Sequence, residues 1–409
     1  MLVVQKYGGT SVAGTERIRN VAERVRQSRH KGNKVVVILS AMAGETNRLV
    51  DLAKQVSKEP DGREYDQLVS TGEQVTIALL ALTLQSMGVP ARSFLGHQVR
   101  LLTDSSFSKA RIKSIDAEII HKELNKNTVV VIAGFQGTDP EGNITTLGRG
   151  GSDTTAVAIA AALKADACEI YTDVDGVYTA DPRVCPEARL IPIITYEEML
   201  ELASSGAKVL QSRSVELAAN YRVPVWVKSA FLPVKKNGSK GGGTLVTNRA
   251  MEEMVVSGIA HDRNEAKVAV RGLADRPGVA ARLFAPLAKA DINVDMIVQN
   301  ISEDGYTDLT FTVSKIELPK ALRIMHQQVR KIGAQKIEAD EKIAKVSIVG
   351  VGMKSHAGVA SRMFETLARE GVNIQMISTS EIKVSVVIRE AEMEKAVRAL
   401  HKAFGLGKK

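Results

Sequence analysis

The chain has 409 residues, 44% of them hydrophobic and 25% charged, which is typical of a globular protein with two or three domains. No run approaches the roughly 18 uninterrupted apolar residues of a membrane span. Residues 1–6 predict a strand rather than a leader peptide. Two cysteines, Cys168 and Cys185, provide neither a disulfide framework nor a zinc site, so we expect a cytoplasmic protein with no metal bound by its side chains alone.

The formal net charge is +9, from 55 Lys and Arg against 46 Asp and Glu. The basic residues are mostly interspersed with acids, which indicates a mixed-charge surface. Aromatic residues make up only 4%, so few side chains could stack on single-stranded nucleic acid. If the charge is functional, it favours a polyanionic nucleotide over a polynucleotide as the partner.

Short apolar runs alternate with helical patterns in the first part of the chain. Continuous Val and Ile runs suit parallel strands covered on both faces, and their alternation with helices predicts an α/β fold. The predicted strands are 35–39, 129–133, 169–172 and 223–227. The predicted helices are 73–86, 153–163 and 196–202, the last followed by a second helix through Tyr221.

A stretch rich in Gly and Lys follows at 233–243 and is either an interdomain linker or a loop within the first domain. Because 244–246 resembles a short strand returning to the sheet, we favour the loop. The first domain is therefore predicted to span residues 1–249.

The remainder contains an internal repeat at an offset of 80 residues, in which Gly278-Val279-Ala280 matches Gly358-Val359-Ala360. In the same register Arg282, Phe284, Leu287, Ala288, Asn293, Met296 and Ile297 recur as Arg362, Phe364, Leu367, Ala368, Asn373, Met376 and Ile377. Each copy predicts a βαββαβ unit, and two copies are too few for a solenoid. We expect one unit at 250–335 and a second at 336–409.

Two turns near the N-terminus could bind a ligand. In the first, Lys6 supplies a cation, and Gly8 and Gly9 let the backbone approach a phosphate. The second follows the next strand at 40–47, at the carboxyl end where open α/β sheets bind ligands. Each turn alone is equally compatible with a plain connection between strand and helix.

The segment 146–155 carries the strongest signal. Its glycines expose backbone N–H groups at the start of an Ala-rich helix, Ser152 or Asp153 can cap that helix, and Arg149 can grip a carboxylate or phosphate. In the segment 171–183, Tyr178 offers a ring and Arg183 a phosphate contact. Glu73 and Lys208 are also compatible with ordinary structural roles.

Several common sites are absent from the sequence. There is no Gly-Lys-[Ser/Thr] tripeptide of a P-loop and no Gly-x-Gly-x-x-Gly dinucleotide turn between strand and helix. His-Glu-x-x-His and Gly-x-Ser-x-Gly are missing too. P-loop, dinucleotide, zinc-protease and serine-hydrolase chemistry are therefore disfavoured.

Taken in order, these segments resemble the amino-acid kinase superfamily and, within it, the aspartokinases. Residues 6–11 are similar to the family's N-terminal signature, 146–154 to its glycine-rich substrate loop, and 172–178 to its nucleotide segment. The repeat resembles a pair of ACT domains, which bind amino-acid effectors. The implied fold is a three-layer α/β sandwich with a mainly parallel sheet, followed by two ACT-like units.

The resemblance implies ATP-dependent phosphorylation of the aspartate side chain, the entry step to lysine, threonine and methionine synthesis. A carboxylate with a pKa near ~4 is already ionised and needs no general base, so catalysis rests on positioning and charge neutralisation, with Mg²⁺ accompanying ATP. Lys6 and Asp153 are the expected catalytic residues. The expected aspartate-binding residues are Ser40, Thr46, Glu73, Arg149, Gly150, Gly151 and Ser152. The expected ATP-binding residues are Lys6, Tyr7, Gly8, Gly9, Ser40, Thr172, Asp173, Tyr178, Arg183 and Lys208.

The ACT resemblance also implies regulation by lysine, threonine or both. The expected effector residues are Asp275, Asn293, Val294, Asp295, Gln299, Asn373, Ile374, Ser380 and Glu381; strand capping and dimer packing are the structural alternative. Effector sites of this kind commonly lie across subunits, so we expect a homo-oligomer, a dimer through the ACT units or a higher assembly. In some relatives an internal start yields a separate regulatory subunit, and Met251 and Met254 stand where such a start would fall.

Two alternatives remain open. Related kinases act on glutamate, acetylglutamate, carbamate or UMP, but generally lack the tandem repeat. A non-catalytic amino-acid sensor or a nucleic-acid-binding regulator would bind ligand without ATP turnover, which the complete Lys6, Arg149 and Asp153 segments disfavour.

Overall fold

The computed structural model describes residues 1–207, 209–232, 242–248, 255–301 and 305–407, without the side chains of 330 and 331. The predicted loop at 233–243, apart from its last two residues, and Lys208, Met251 and Met254 lie outside the described residues. The chain divides into two compact units. Unit 1 comprises Met1–Val177, Leu190–Ala203 and Lys208–Glu252, and unit 2 comprises Tyr178–Arg189, Ser204–Ala207 and Glu253–Lys409.

Unit 1 contains twelve of the described strands and eight of the described helices. The strands are β1 (Leu2–Tyr7), β2 (Lys34–Leu39), β3 (Ala91–Phe94), β4 (Leu101–Thr103), β5 (Ile112–Ile115), β6 (Val129–Ala133), β7 (Gln136–Thr138), β8 (Ile144–Thr146), β9 (Ala167–Thr172), β10 (Ile193–Thr195), β11 (Val225–Ser229) and β12 (Thr244–Thr247). The helices are α1 (Thr15–His30), α2 (Glu45–Val56), α3 (Gly62–Val69), α4 (Thr71–Ser86), α5 (Glu118–Asn125), α6 (Gly151–Ala162), α7 (Tyr196–Ser204) and α8 (Ser212–Tyr221).

The core of unit 1 is an eight-stranded sheet, sheet A, in the order β10-β12-β11-β9-β1-β2-β6-β3. Strands β9, β1, β2 and β6 run parallel, and β6 is buried along its whole length, as continuous apolar strands predict. The predicted return of 244–246 to the sheet is confirmed, since β12 pairs with β10 and β11. The predicted strand at 223–227 instead begins at Val225.

A smaller sheet, sheet B, has the order β5-β4-β7-β8, and β8 leads into the predicted substrate loop. The stretch Gly62–Ser86 has the length and hydropathy of a membrane span, but half of it is buried inside the protein. It is divided between α3 and α4, and Leu80 and Leu84 of α4 pack in the same core cluster as Val21 and Val25 of α1. The stretch is therefore a core element of unit 1.

Unit 2 contains two four-stranded antiparallel sheets, each of which packs against two helices. Its elements are β13 (Gly258–Asp262), β14 (Glu265–Ala274), α9 (Val279–Lys289), β15 (Ile297–Ile301), β16 (Tyr306–Ser314), α10 (Leu318–Ile332), β17 (Lys336–Asp340), β18 (Ile343–Val349), α11 (Val359–Arg369), β19 (Met376–Thr379), β20 (Lys383–Arg389) and α12 (Met393–Ala403). Sheet C has the order β15-β16-β14-β17, and sheet D the order β19-β20-β18-β13.

The two sheets are equivalent except in the source of their fourth strand. In sheet C the last strand, β17, follows the second helix of its own copy. In sheet D the equivalent place is taken by β13, which precedes the whole first copy. The two βαββαβ modules are thus interleaved: β13, which falls in the expected unit 250–335, pairs in sheet D, and β17, which falls in the expected unit 336–409, pairs in sheet C. Sequence spacing could not reveal this, because β13 pairs with a strand about 85 residues away.

Candidate active site

The turns after β1 and β2 interlock at the carboxyl edge of sheet A. A Cβ added to Gly9 would lie 2.7 Å from the Ala41 carbonyl oxygen, and the Ala43 N–H donates to the Gly9 carbonyl at 3.1 Å. The Ser40 N–H donates to the Tyr7 carbonyl at 3.2 Å. A side chain at position 9 would force the turns apart, which explains the glycine there.

Lys6 and Asp153 form an ion pair at this edge. The Lys6 ammonium lies 2.6 Å from a carboxylate oxygen of Asp153, and the two side chains are only 12% and 11% exposed. Asp153 belongs to the first turn of α6, where the helix dipole favours negative charge. A cation and a helix N-terminus thus face the same space, an arrangement suited to binding a phosphoryl group.

The N-terminus of α6 is shaped by glycines. Gly150 caps the helix with a φ of +71°, in the left-handed region. Gly134, which directly follows β6, approaches Ser152 so closely that an added Cβ would lie 2.7 Å from its hydroxyl oxygen. Sequence reasoning missed Gly134, although a glycine directly after a buried strand was the available signal.

Glu73 lies in the first turn of α4 and is 2% exposed. One of its carboxylate oxygens accepts the Ala41 N–H at 3.0 Å, and the other has no partner among the described residues. Burial raises the pKa of Glu73 to about 7. A buried carboxylate with an open lone pair is suited to receive a cation such as a substrate ammonium group.

Arg149 is exposed, and its guanidinium has no hydrogen bond or ion pair with any described residue. Thr46 is half-buried in the first turn of α2, and the Ser40 carbonyl accepts a hydrogen bond from Thr76 at 3.0 Å. Glu73 accepts the Ala41 N–H, and the Ala41 carbonyl packs closely against Gly9. The structure therefore gathers most of the predicted aspartate-binding residues at one edge of sheet A.

The predicted nucleotide residues are divided. The Gly8 N–H donates to the Tyr171 carbonyl at 3.3 Å, which places the end of β9 beside the turn that follows Lys6. Thr172 is the last residue of β9, and the exposed Asp173 follows it. The Tyr7 ring is buried and stacks on Tyr171 with 4.6 Å between ring centroids, so only its backbone is available to ATP.

Tyr178 and Arg183 lie in unit 2, where Tyr178 packs against the core of sheet D and Arg183 pairs with Asp181 at 2.8 Å. Their assignment to the nucleotide remains a prediction. Asp173 remains a candidate nucleotide residue of unit 1, where it accepts a hydrogen bond from the Thr172 hydroxyl at 3.0 Å.

The described residues contain no group of three or more His, Cys, Asp or Glu that could hold a metal ion. Mg²⁺ is usually bound through one or two carboxylates together with substrate phosphates, so a dedicated cage is not needed. Asp153 and Asp173 supply carboxylates of this kind. The residues present therefore fit Mg²⁺ that arrives with ATP.

The predicted effector residues occupy equivalent places in the two halves of unit 2. Asn293, Val294 and Asp295 precede edge strand β15, and Gln299 lies on it. Asn373 and Ile374 precede edge strand β19, while Ser380 and Glu381 follow it. Asp295 pairs with buried Lys345 of β18, so the first loop is tied to the second module. Asp275 lies just beyond β14, and its N–H donates to the Gly305 carbonyl at 2.9 Å.

The comparisons with known proteins agree with this geometry. Residues 1–229 match the amino acid kinase family, and residues 268–329 and 346–404 match the ACT domain. The chain is 60% identical to the aspartate kinase of Pseudomonas putida over 99% of its own length and 98% of that protein. It is 59% identical to the aspartokinase of Pseudomonas aeruginosa over 99% and 98% of the two chains.

Among solved structures, the fold resembles Escherichia coli aspartokinase III in complex with aspartate and ADP, with a TM-score of 0.82, 28% identity and coverage of 98% and 99% of the two chains. The same protein in complex with lysine and aspartate matches with a TM-score of 0.77, 29% identity and coverage of 98% and 99%. The chain thus belongs to the amino acid kinase family, among its members with ACT domains. Its full-length relatives specify the enzyme further: it is an aspartate kinase, a phosphotransferase with a carboxyl group as acceptor.

Proposed function

We propose that this enzyme transfers the γ-phosphoryl group of ATP to the side-chain carboxylate of L-aspartate in the cytoplasm, giving 4-phospho-L-aspartate for lysine, threonine and methionine synthesis. The observation that carries the proposal is the Lys6–Asp153 pair at the N-terminus of α6, on the same sheet edge as buried Glu73. The aspartate and ADP bound by the E. coli relative support the same pair of substrates.

In the reaction, an aspartate side-chain oxygen forms a bond to the γ-phosphorus while the bond to the β-phosphate oxygen breaks, and ADP leaves. No proton is transferred, because the nucleophile is already ionised. The barrier comes from bringing anions together, so cations and helix N-termini that stabilise the transferring group supply the catalysis. Lys6 provides that charge, and Asp153 holds Lys6 in place.

Aspartate is recognised by two residues of opposite charge, Glu73 and Arg149. The unpartnered oxygen of Glu73 accepts a hydrogen bond from the ammonium group of aspartate. The guanidinium of Arg149, which has no partner among the described residues, binds a carboxylate of aspartate. Ser40, Thr46, Ser152 and the backbone of Gly150 and Gly151 add hydrogen bonds.

ATP is held by the backbone of Tyr7, Gly8 and Gly9, by Ser40, and by Thr172 and Asp173. The family resemblance adds Lys6, Tyr178, Arg183 and Lys208 to the expected ATP-binding residues. Mg²⁺ bound with ATP would neutralise the charge of the phosphates. Asp173 of this set and the catalytic residue Asp153 are the carboxylates that would hold it.

The test is to mix the enzyme with ATP, Mg²⁺, aspartate and hydroxylamine and to measure aspartyl hydroxamate. We expect aspartyl hydroxamate with aspartate and, measured by release of ADP, little turnover with glutamate, acetylglutamate, carbamate or UMP as acceptor. Product with another acceptor but none with aspartate would overturn the substrate assignment.

We further propose that lysine, threonine or both inhibit the enzyme through unit 2, in a homo-oligomer. The lysine bound by E. coli aspartokinase III supports this. The Lys345–Asp295 pair supports it too, because an effector bound at Asn293, Val294 or Asp295 would act directly on the second module. Titration of activity with lysine, with threonine and with both should give inhibition that Asn373→Ala weakens. Unchanged activity at saturating levels of both amino acids would overturn the proposal.

A further inference from the structure

Asp66, on α3, is a fully buried carboxylate with no role in the mechanism above. One of its oxygens accepts the backbone N–H groups of Thr146 at 2.7 Å and Ser108 at 2.8 Å. The other accepts the Thr146 hydroxyl at 2.7 Å and the Ser108 hydroxyl at 3.2 Å. Two of these four bonds tie α3 to Thr146, the residue at which the substrate loop begins, and the other two tie it to Ser108.

The other side of the loop is held from α8. The Arg213 guanidinium donates to the carbonyls of Leu147 at 3.1 Å and Ala110 at 2.9 Å. The Gln211 amide donates to the Arg149 carbonyl at 3.1 Å. An added Cβ at Gly150 would lie 2.5 Å from the Gln211 side chain, so α8 packs directly against the loop.

The backbone of 146–149 is thus anchored at Thr146, Leu147 and Arg149 by side chains from two helices. The Arg149 guanidinium is left exposed and without a described partner. We propose that Asp66 and Arg213 are positioning residues that hold the substrate loop so that Arg149 meets the aspartate carboxylate in a ready geometry. The proposal rests on the proposed function, since it assigns Arg149 to aspartate.

The test compares Asp66→Ala, Asp66→Asn and Thr146→Val. Asp66→Ala should raise the KM for aspartate about tenfold to about a hundredfold, because small displacements of a binding group are costly, and should leave the KM for ATP within about twofold. Asp66→Asn should have a KM for aspartate close to that of the wild type. Its amide oxygen still accepts both N–H groups, and its NH₂ can donate to both hydroxyl oxygens.

Asp139 supplies a matched control. It directly follows β7, is also buried, and accepts the N–H groups of Glu141 at 3.0 Å and Asn143 at 2.8 Å, but it makes no hydrogen bond to the described residues 146–149. Asp139→Ala should lower the melting temperature without changing the KM for aspartate. Equal increases in both KM values, or the same aspartate KM in Asp66→Ala and Asp139→Ala, would overturn the proposal.

Thr146→Val keeps the test decisive if Asp66→Ala does not fold. It removes one hydroxyl and keeps the N–H, so the aspartate KM should rise about threefold to about tenfold. An unchanged aspartate KM in Thr146→Val would count against the positioning role. A wild-type enzyme that forms no aspartyl hydroxamate would instead refute the proposed function, so the two failures are distinguishable.

Discussion

The proposed aspartate side and the proposed nucleotide side of the candidate active site share one edge of sheet A but differ in how firmly unit 1 holds them. Glu73 is buried and bonded to Ala41, and the Arg149 loop is anchored by Asp66, Gln211 and Arg213. On the nucleotide side, Asp173 is exposed and accepts a hydrogen bond from the hydroxyl of neighbouring Thr172. A small substrate with few atoms needs preformed contacts, whereas ATP brings many groups of its own. Substitutions on the aspartate side should therefore have the larger and more selective effects.

The largest effect is expected for Lys6→Met. Loss of the cation removes stabilisation of the transferring phosphoryl group, so kcat should fall by about 10²–10³. Lys34→Met is the control, because Lys34 is exposed at the other end of β2 and bonded to Asn125. Release of ADP in a coupled assay measures both. A kcat for Lys6→Met within about tenfold of wild type would remove Lys6 from the mechanism.

Glu73→Gln should raise the KM for aspartate by roughly 10- to 100-fold, since a charged partner of the ammonium group is lost. The amide oxygen still accepts the Ala41 N–H, so the turn should persist. In the wild type, kcat/KM for aspartate should fall below about pH 7, because the pKa of Glu73 is raised to about 7 and its protonated form cannot bind a cation. Glu45→Gln, at the exposed pair with Arg48, is the control and should leave this pH profile unchanged.

Glu73→Gln should also stabilise the folded enzyme without substrate at high pH. Because the pKa of Glu73 is raised from 4.5 to about 7, the folded state binds more protons than the unfolded state between these values. Stability therefore falls as the pH rises through this window, by up to about 3 kcal/mol. Denaturant unfolding should show Glu73→Gln more stable than wild type at pH 8, with a smaller difference at pH 5. An equal difference at both pH values would contradict the buried, proton-binding carboxylate.

The smallest effect is expected for Asp173→Asn. An exposed polar contact is worth about 0.2–1 kcal/mol, so the KM for ATP should change by only about two- to fivefold. The KM for aspartate should not change. A large rise in the aspartate KM would break the division of the site into two sides, and steady-state kinetics with each substrate varied would reveal it.

The sequence allowed the outline of unit 1 to be predicted because parallel strands leave a local signal. Runs such as 35–39 and 129–133 are apolar throughout, and the glycine turns after them lie where strand ends meet. Glu73 and Arg149 were assigned by resemblance. The structure adds the burial that gives Glu73 its raised pKa and the anchoring that presents Arg149.

Other features depend on partners that are distant in the sequence. Asp66 contacts a residue 80 positions away, and no spacing rule links the two. The interleaved strand β13 is invisible to a search for repeats, because it lies before the first copy. Tyr178 is the last residue of the segment 172–178 that resembles the family's nucleotide segment, yet it belongs to unit 2 and packs against its core. Side-chain burial and long-range pairing are set by the tertiary fold, so local patterns could not predict them.

The most direct test of the account is to measure proton release when aspartate binds. At pH 7 and with ADP present, Glu73 in the free enzyme should be about half protonated, and pairing with the ammonium group should expel about half a proton per site. Calorimetric titration in two buffers with different ionisation enthalpies counts these protons. The account predicts net release by the wild type and none by Glu73→Gln. Equal proton counts for the two enzymes would contradict it.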